Sequence, residues 1–186
     1  AVQNVAQRGL PTSAELAARP IALQVDNLRT AELHGATLQV HQGELLGLGG
    51  LKGQGQRDLL LALFGSIPFT GQVRLEGRPV HFTHPRQAMD GGLALVPGER
   101  GREGLLAIRS ILENLMLPSW RQYGLPLRMG RARRNGNDIA ARLNLKMAGL
   151  DAPVSGLSGG NAQKVVIGKW LLRSPRLLLL DDPTKG

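Results

Sequence analysis

Cysteine is absent from the 186 residues, so the chain can build neither a disulfide nor a thiolate metal site. That absence suits a cytoplasmic protein. Aromatic residues make up only 3%, which leaves few platforms for stacking nucleic-acid bases. No apolar run approaches the ~20 residues that a membrane-spanning helix needs. No secretory pattern opens the chain either: residues 1–19 are polar and helix-prone, without an apolar stretch. The histidines at 34, 41, 81 and 84 show no paired ligand spacing on one helix. They read as surface or strand-edge residues.

What is present is a globular composition, 42% hydrophobic, in a chain long enough for one domain with a core. The formal net charge is +9 and the pI about 11.2. Such a balance would suit nucleic acid or an anionic membrane surface. With so few aromatics, a solvated basic surface is the simpler reading, and no nucleic-acid partner is expected.

Two stretches near the end carry the chemistry. The first is LSGGNAQK at residues 157–164. Ser158 is a good N-cap type. Gly159 and Gly160 leave backbone N–H groups open to an anion, and from Ala162 the apolar residues Val165, Val166 and Trp170 follow at helical spacing. The start of such a helix, with free N–H groups and a positive dipole end, is a phosphate site. Soon after comes LLLLDDPT at 177–184, a buried strand ending in Asp181 and Asp182. Alone, the first stretch reads equally as an ordinary capped helix, and the second as a core strand with a polar exit.

At the other end, residues 45–48 (LLGL) predict a short buried strand, followed by Gly50-Leu51-Lys52-Gly53-Gln54-Gly55-Gln56-Arg57-Asp58 and a helical run over 59–64. Strand, glycine loop and helix are the setting of a phosphate-binding loop. Glycines at 50, 53 and 55 let backbone N–H groups curl round phosphates. That chemistry also wants Lys and then Ser or Thr after the last glycine. Here those positions hold Gln56 and Arg57, so the hydroxyl that would hold Mg²⁺ is lost, and Arg57 or Lys52 is left to supply positive charge.

Between these ends the pattern is mixed. Residues 1–20 read as a linker with a short helix near 14–18, bracketed by Pro11 and Pro20. Residues 21–25 and 36–40 suit strands, and 71–75 with 80–82 suit a hairpin turning at Glu76-Gly77-Arg78. Pro85 starts a short helix, and 93–96 is a buried strand that runs into the charged stretch PGERGREGL. Ser110 and Glu113 form a capping box for a helix over 111–117. Residues 121–134 (RQYGLPLRMGRARR) read as loose and basic without periodicity, and 138–145 as a helix.

Taken together, the glycine loop, LSGGN and LLLLDD resemble the P-loop, signature motif and Walker B strand of ATP-binding-cassette (ABC) ATPases. The phrases GELLGLGGL at 43–51, VPGER with REGL at 96–105, and Asn161 followed by QKVV and KWL resemble the second cassette of simple-sugar importers of the ribose/galactose/xylose type. The resemblance spans about residues 21–186. It implies a P-loop α/β core with a small antiparallel β-subdomain and a helical signature subdomain over roughly 106–165. It implies ATP and Mg²⁺ as cofactors, sandwiched between one cassette's P-loop and the other's signature. Gly50, Gly53, Gln54, Gly55, Gln56, Arg57 and Asp58 would face this chain's own nucleotide. Ser158, Gly159, Gly160 and Asn161 would serve the nucleotide of a second cassette. Asp181 would hold Mg²⁺, and Asp182 stands where the catalytic Glu would be. Implied partners are that second cassette, a membrane permease and, indirectly, a sugar-binding protein outside the membrane. The implied location is the cytoplasmic face of the membrane.

Several positions depart from the family pattern. Gln56 and Arg57 replace Lys and Ser/Thr, Gly98 replaces the Q-loop Gln, and no aromatic stands in 28–35 for adenine. Asp182 is a methylene shorter than Glu, and a misplacement of ~1 Å can cost ~100-fold. The D-loop and switch His that follow Walker B in the family lie beyond Gly186, so the chain reads as a fragment with an open sheet edge. The expectation is a half-site with a weakened P-loop and a working signature. The alternatives are a fully competent ATPase half and a basic nucleic-acid-binding module.

Overall fold

The computed structural model describes residues 12–51 and 53–183; the calls on Lys52, Thr184 and the first half of the linker lie outside them. The chain divides into two compact units, Ala1–Thr83 and His84–Gly186.

The first unit opens with helix α1, Ser13–Ala17, whose start is fixed by a capping box between Thr12 and Glu15. Four strands follow in one antiparallel sheet: β1 Ile21–Arg29, β2 His34–His41, β3 Thr70–Leu75 and β4 Arg78–Val80, ordered β2-β1-β3-β4. Leu23 and Val25 point inward with the period of two that a half-buried strand requires. The register then shifts, with Asn27 at φ 47°, and Leu28 turns back into the core. This bulge carries β1 four residues past the predicted end. The β3–β4 turn places Glu76 and Gly77 at φ 49° and 78°, the two positive angles of a type I′ hairpin. Helix α2, Gln56–Leu63, buries Leu59, Leu60, Ala62 and Leu63.

The predicted strand at 45–48 does not form. Among the described residues nothing pairs with it, and Leu45, Leu46 and Leu48 are 80%, 41% and 40% exposed. An apolar run becomes a buried strand only when a ladder partner and a covering layer are supplied from elsewhere in the chain.

The second unit begins with helix α3, Pro85–Asp90, capped by the His84 ring and started by Pro85. Strands β5, Leu93–Val96, and β6, Leu177–Leu180, pair in parallel, Leu93 opposite Leu177 and Val96 opposite Leu180. A π-helical turn, Arg100–Gly104, leads to helix α4, Ile111–Met116, which starts at the predicted Ser110–Glu113 capping box. A 3-10 segment, Leu117–Tyr123, then precedes helix α5, Met129–Arg142, and helix α6, Gly159–Leu171. Ile111, Leu112, Leu115, Ile139, Leu150 and Val165 centre the core of this unit.

Two expectations change here. The basic run is loose only through its first half; from Met129 it is helix, and that helix ends at Arg142 rather than 145. Its core-facing residues are Ala132, Gly136, Ile139 and Ala140. Three of the four are small, so hydropathy hides a periodicity that packing obeys. Gly136 sits so close to Leu112 and Leu150 that a Cβ there would lie 3.2 Å from each. Strand β6 forms, but it is not buried throughout: Leu179 is inside and Leu178 is 39% exposed. Among the described residues no helix is long and apolar enough to cross a membrane.

Candidate functional site

The glycine loop in the first unit is held by its own side chains. Gly55 precedes helix α2 at φ 86°, and a Cβ there would meet Leu33 Cβ at 2.8 Å, so the turn needs glycine. The Leu51 N–H donates to the Gln54 carboxamide oxygen at 3.1 Å. Gln56 Nε2 donates to the Leu51 carbonyl at 3.2 Å and fills the space beside Gly50. Asp58, in the first turn of α2, accepts a 2.8 Å hydrogen bond from the Thr30 hydroxyl. Its carboxylate therefore sits at the positive end of the helix, where an anionic ligand would also be drawn. Gly53 is exposed and Arg57 half-buried.

In the second unit the Asp181 N–H donates to the Val96 carbonyl at 3.0 Å, extending the parallel ladder by one bond. Its carboxylate accepts the Gly98 N–H at 3.3 Å. The sequence-predicted positions 98 and 181 thus come together, through backbone at one of them. Asp182 follows at φ 43°, exposed. Among the described residues no three His, Asp or Glu side chains converge as a metal would require.

The turn after Gly98 lies along α6. Arg100 Nη2 is 2.8 Å from where a Cβ on Gly159 would stand, so a side chain at 159 would push the guanidinium aside. Further along, Gly104 packs on Val166, and its carbonyl accepts a 2.5 Å hydrogen bond from Lys169 Nζ. Lys169 is 5% exposed, and burial lowers its ammonium pKa to about 8. An open cleft of about 580 Å³ lies between this turn and the start of α6, lined by Gly98, Arg100, Leu105, Val154, Leu157 and Ala162.

Ser158 has N-cap geometry, φ −62° and ψ 156°, yet its side chain does not cap the helix. Its hydroxyl accepts instead from Asn161 Nδ2 at 3.0 Å. Asn161 in turn accepts the Lys146 N–H at 3.0 Å, and Lys164 Nζ donates to the Asn144 carbonyl at 2.7 Å. The first turn of α6 is therefore pinned to the loop at 144–146, while Ser158 and Gly160 remain exposed.

Residues 33–185 match the ABC transporter family. The chain belongs to it. Similar proteins include Ribose import ATP-binding protein RbsA 1 of Mesorhizobium japonicum, 48% identical over 162 residues, and its namesake from Rhizobium johnstonii, 46% over 159. These alignments cover 84% and 83% of this chain but 32% and 31% of the relatives. RbsA of Geobacillus kaustophilus is 40% identical over 168 residues, 88% of this chain and 34% of that protein. The chain spans about a third of the length of these curated relatives. Among solved structures, the ADP conformation of the cassette MJ1267 superposes with TM-score 0.73 at 21% identity, covering 89% of this chain and 70% of that one. A nucleotide-free ATP-binding cassette from an ABC transporter gives 0.72 at 20%, covering 88% and 69%. The fold is that of an ABC cassette with an antiparallel β-subdomain, as the sequence predicts.

Within this ABC chain, sequence reasoning misses four contributors. Thr30 and Leu33 touch the glycine loop from a segment read only for its lack of aromatics. Lys146 and the buried Lys169 pin helix α6. Only Lys169 carried a signal: a lysine followed by Trp170 on the apolar side of a helix.

Proposed function

We propose that this chain is the second cassette of a ribose-type sugar importer, and that its signature completes the nucleotide site of a partner cassette while its own P-loop holds Mg-ATP poorly. The relatives are named as ribose importers, and the proposed partners are a second cassette and a permease at the cytoplasmic face of the membrane. ATP with Mg²⁺ supplies the free energy that drives cassette closure.

The observation that carries this reading is the contrast between the two anion sites. In the P-loop, the Leu51 N–H is taken by Gln54, Gln56 crosses the loop, and Asp58 occupies the helix end. Position 57 is arginine, which has no oxygen to offer a metal. These residues do not fit a magnesium triphosphate. At α6, by contrast, Ser158 and Gly160 stand exposed at the start of a 13-residue helix. Ser158, Gly159, Gly160 and Asn161 are proposed to serve the partner's nucleotide, and Asp181 and Asp182 to mark the weak half-site. In that geometry Asp181 is already engaged with Gly98, while Asp182 stands exposed at φ 43°.

The test pairs this cassette with a competent partner and reads ATP hydrolysis. Ser158→Arg is expected to lower turnover at least 100-fold, because the arginine fills the exposed anion site. Asp182→Asn is expected to change it less than twofold. A large loss with Asp182→Asn means that this half hydrolyses ATP itself.

A further inference from the structure

Asn161 engages both ends of its side chain within the second unit. Its carboxamide oxygen accepts the Lys146 N–H at 3.0 Å, and its Nδ2 donates to the Ser158 hydroxyl at 3.0 Å. The amide sits only one way round. A backbone N–H donates and never accepts, so the atom facing Lys146 is the oxygen and the end facing Ser158 is the donor. One turn further along α6, Lys164 Nζ donates to the Asn144 carbonyl at 2.7 Å and holds the same loop in place.

A hydroxyl has one proton to give and two lone pairs with which to receive. At Ser158 a lone pair is taken by Asn161, and the hydroxyl caps no helix N–H. Among the described residues it donates to nothing, and Ser158 is exposed at the start of α6. Its proton is therefore the part of the group that faces a ligand. A phosphate oxygen, which only accepts, is the chemistry that meets it.

We infer that Asn161 is a positioning residue that acts on the partner's nucleotide through Ser158, filling the acceptor side of the hydroxyl and turning its proton to a phosphate oxygen. This rests on the proposal above that the start of α6 serves a partner cassette. An aspartate at 161 would still accept the Lys146 N–H but would reverse the other bond: a carboxylate accepts, so the hydroxyl would donate inward.

The chain is paired with a competent partner cassette, and ATP turnover and urea unfolding are measured for Ser158→Ala, Asn161→Ala, the two together and Asn161→Asp. Each single alanine variant is expected to lower turnover about tenfold, the worth of one hydrogen bond to a charged group. The double variant is expected to lose less than about twofold beyond Ser158→Ala, because the amide acts only through the hydroxyl. Asn161→Asp should lose at least as much turnover as Asn161→Ala. Its unfolding should stay in place or move to higher urea, since a carboxylate in the first turn suits the helix dipole. Alanine losses that multiply to about 100-fold overturn the inference, because Asn161 then touches nucleotide itself or only holds the fold. Undiminished turnover in Asn161→Asp overturns it too. Ser158→Arg separates the two levels. Full turnover in that variant removes the partner site and the inference with it. A large loss there, combined with multiplying alanine losses, leaves the partner site standing and removes only the role of Asn161.

Discussion

At the scale of single residues, a buried cation stands at a structural junction: Lys169, the one charged side chain that is buried among the described residues. Lys169 holds the Gly104 carbonyl from inside the second unit, and its pKa stands near 8 where an unfolded lysine has about 10.5. The unfolded chain therefore binds more protons than the folded one between those values, and stability rises with pH across that window. Below pH 8 both forms are charged, and the full cost of burying the ammonium is present. The shift corresponds to about 3 kcal/mol in order of magnitude. Chemical unfolding at pH 7.5 and pH 10 should show a rise that Lys169→Met removes. A rise of equal size in Lys169→Met assigns the effect to other groups. The sequence hinted at this residue only through its neighbour Trp170, because a lysine on a helix is ordinarily a solvated one.

At the scale of elements, local chemistry was legible and packing was not. The Ser110–Glu113 box is read from four consecutive residues, and the helix starts where it predicts. Ser110→Ala should cost about 1 kcal/mol in thermal or urea unfolding. Helix α5 is the opposite case. Its inward face is built from Ala132, Gly136 and Ala140 around a single large residue, Ile139. Arginines on the other side dominate the composition, so the segment reads as loose. Ile139→Ala should cost about 2–5 kcal/mol, because the side chain is 2% exposed and packs in the main cluster of the unit. Arg134→Ala should stay within ~0.5 kcal/mol. Equal, small effects of both would return the segment to the loose reading. The bulge in β1 teaches the same lesson: Asp26 and Asn27 look like a strand end, yet the register shift brings Leu28 back inward.

At the scale of the whole molecule, the glycine loop lies in the first unit, and strand β6 and helix α6 lie in the second. The order of motifs along the chain was legible because each depends on glycine, a cap or a carboxylate at a fixed spacing. The strand expected at 45–48 was not, since a parallel strand exists only through neighbours that its own sequence does not specify. The glycine loop was half legible: Gln56 and Arg57 after its last glycine showed in sequence, but the Gln54 and Gln56 side chains closing over Leu51 did not. The most direct test of the account is calorimetric titration of the chain with Mg-ATP, alongside a Gln56→Lys, Arg57→Thr variant. The account predicts no binding tighter than ~1 mM, about −4 kcal/mol, in the natural chain and a clear gain in the variant. Binding by the natural chain at or below ~0.1 mM, about −5.5 kcal/mol, with no gain in the variant, would contradict it.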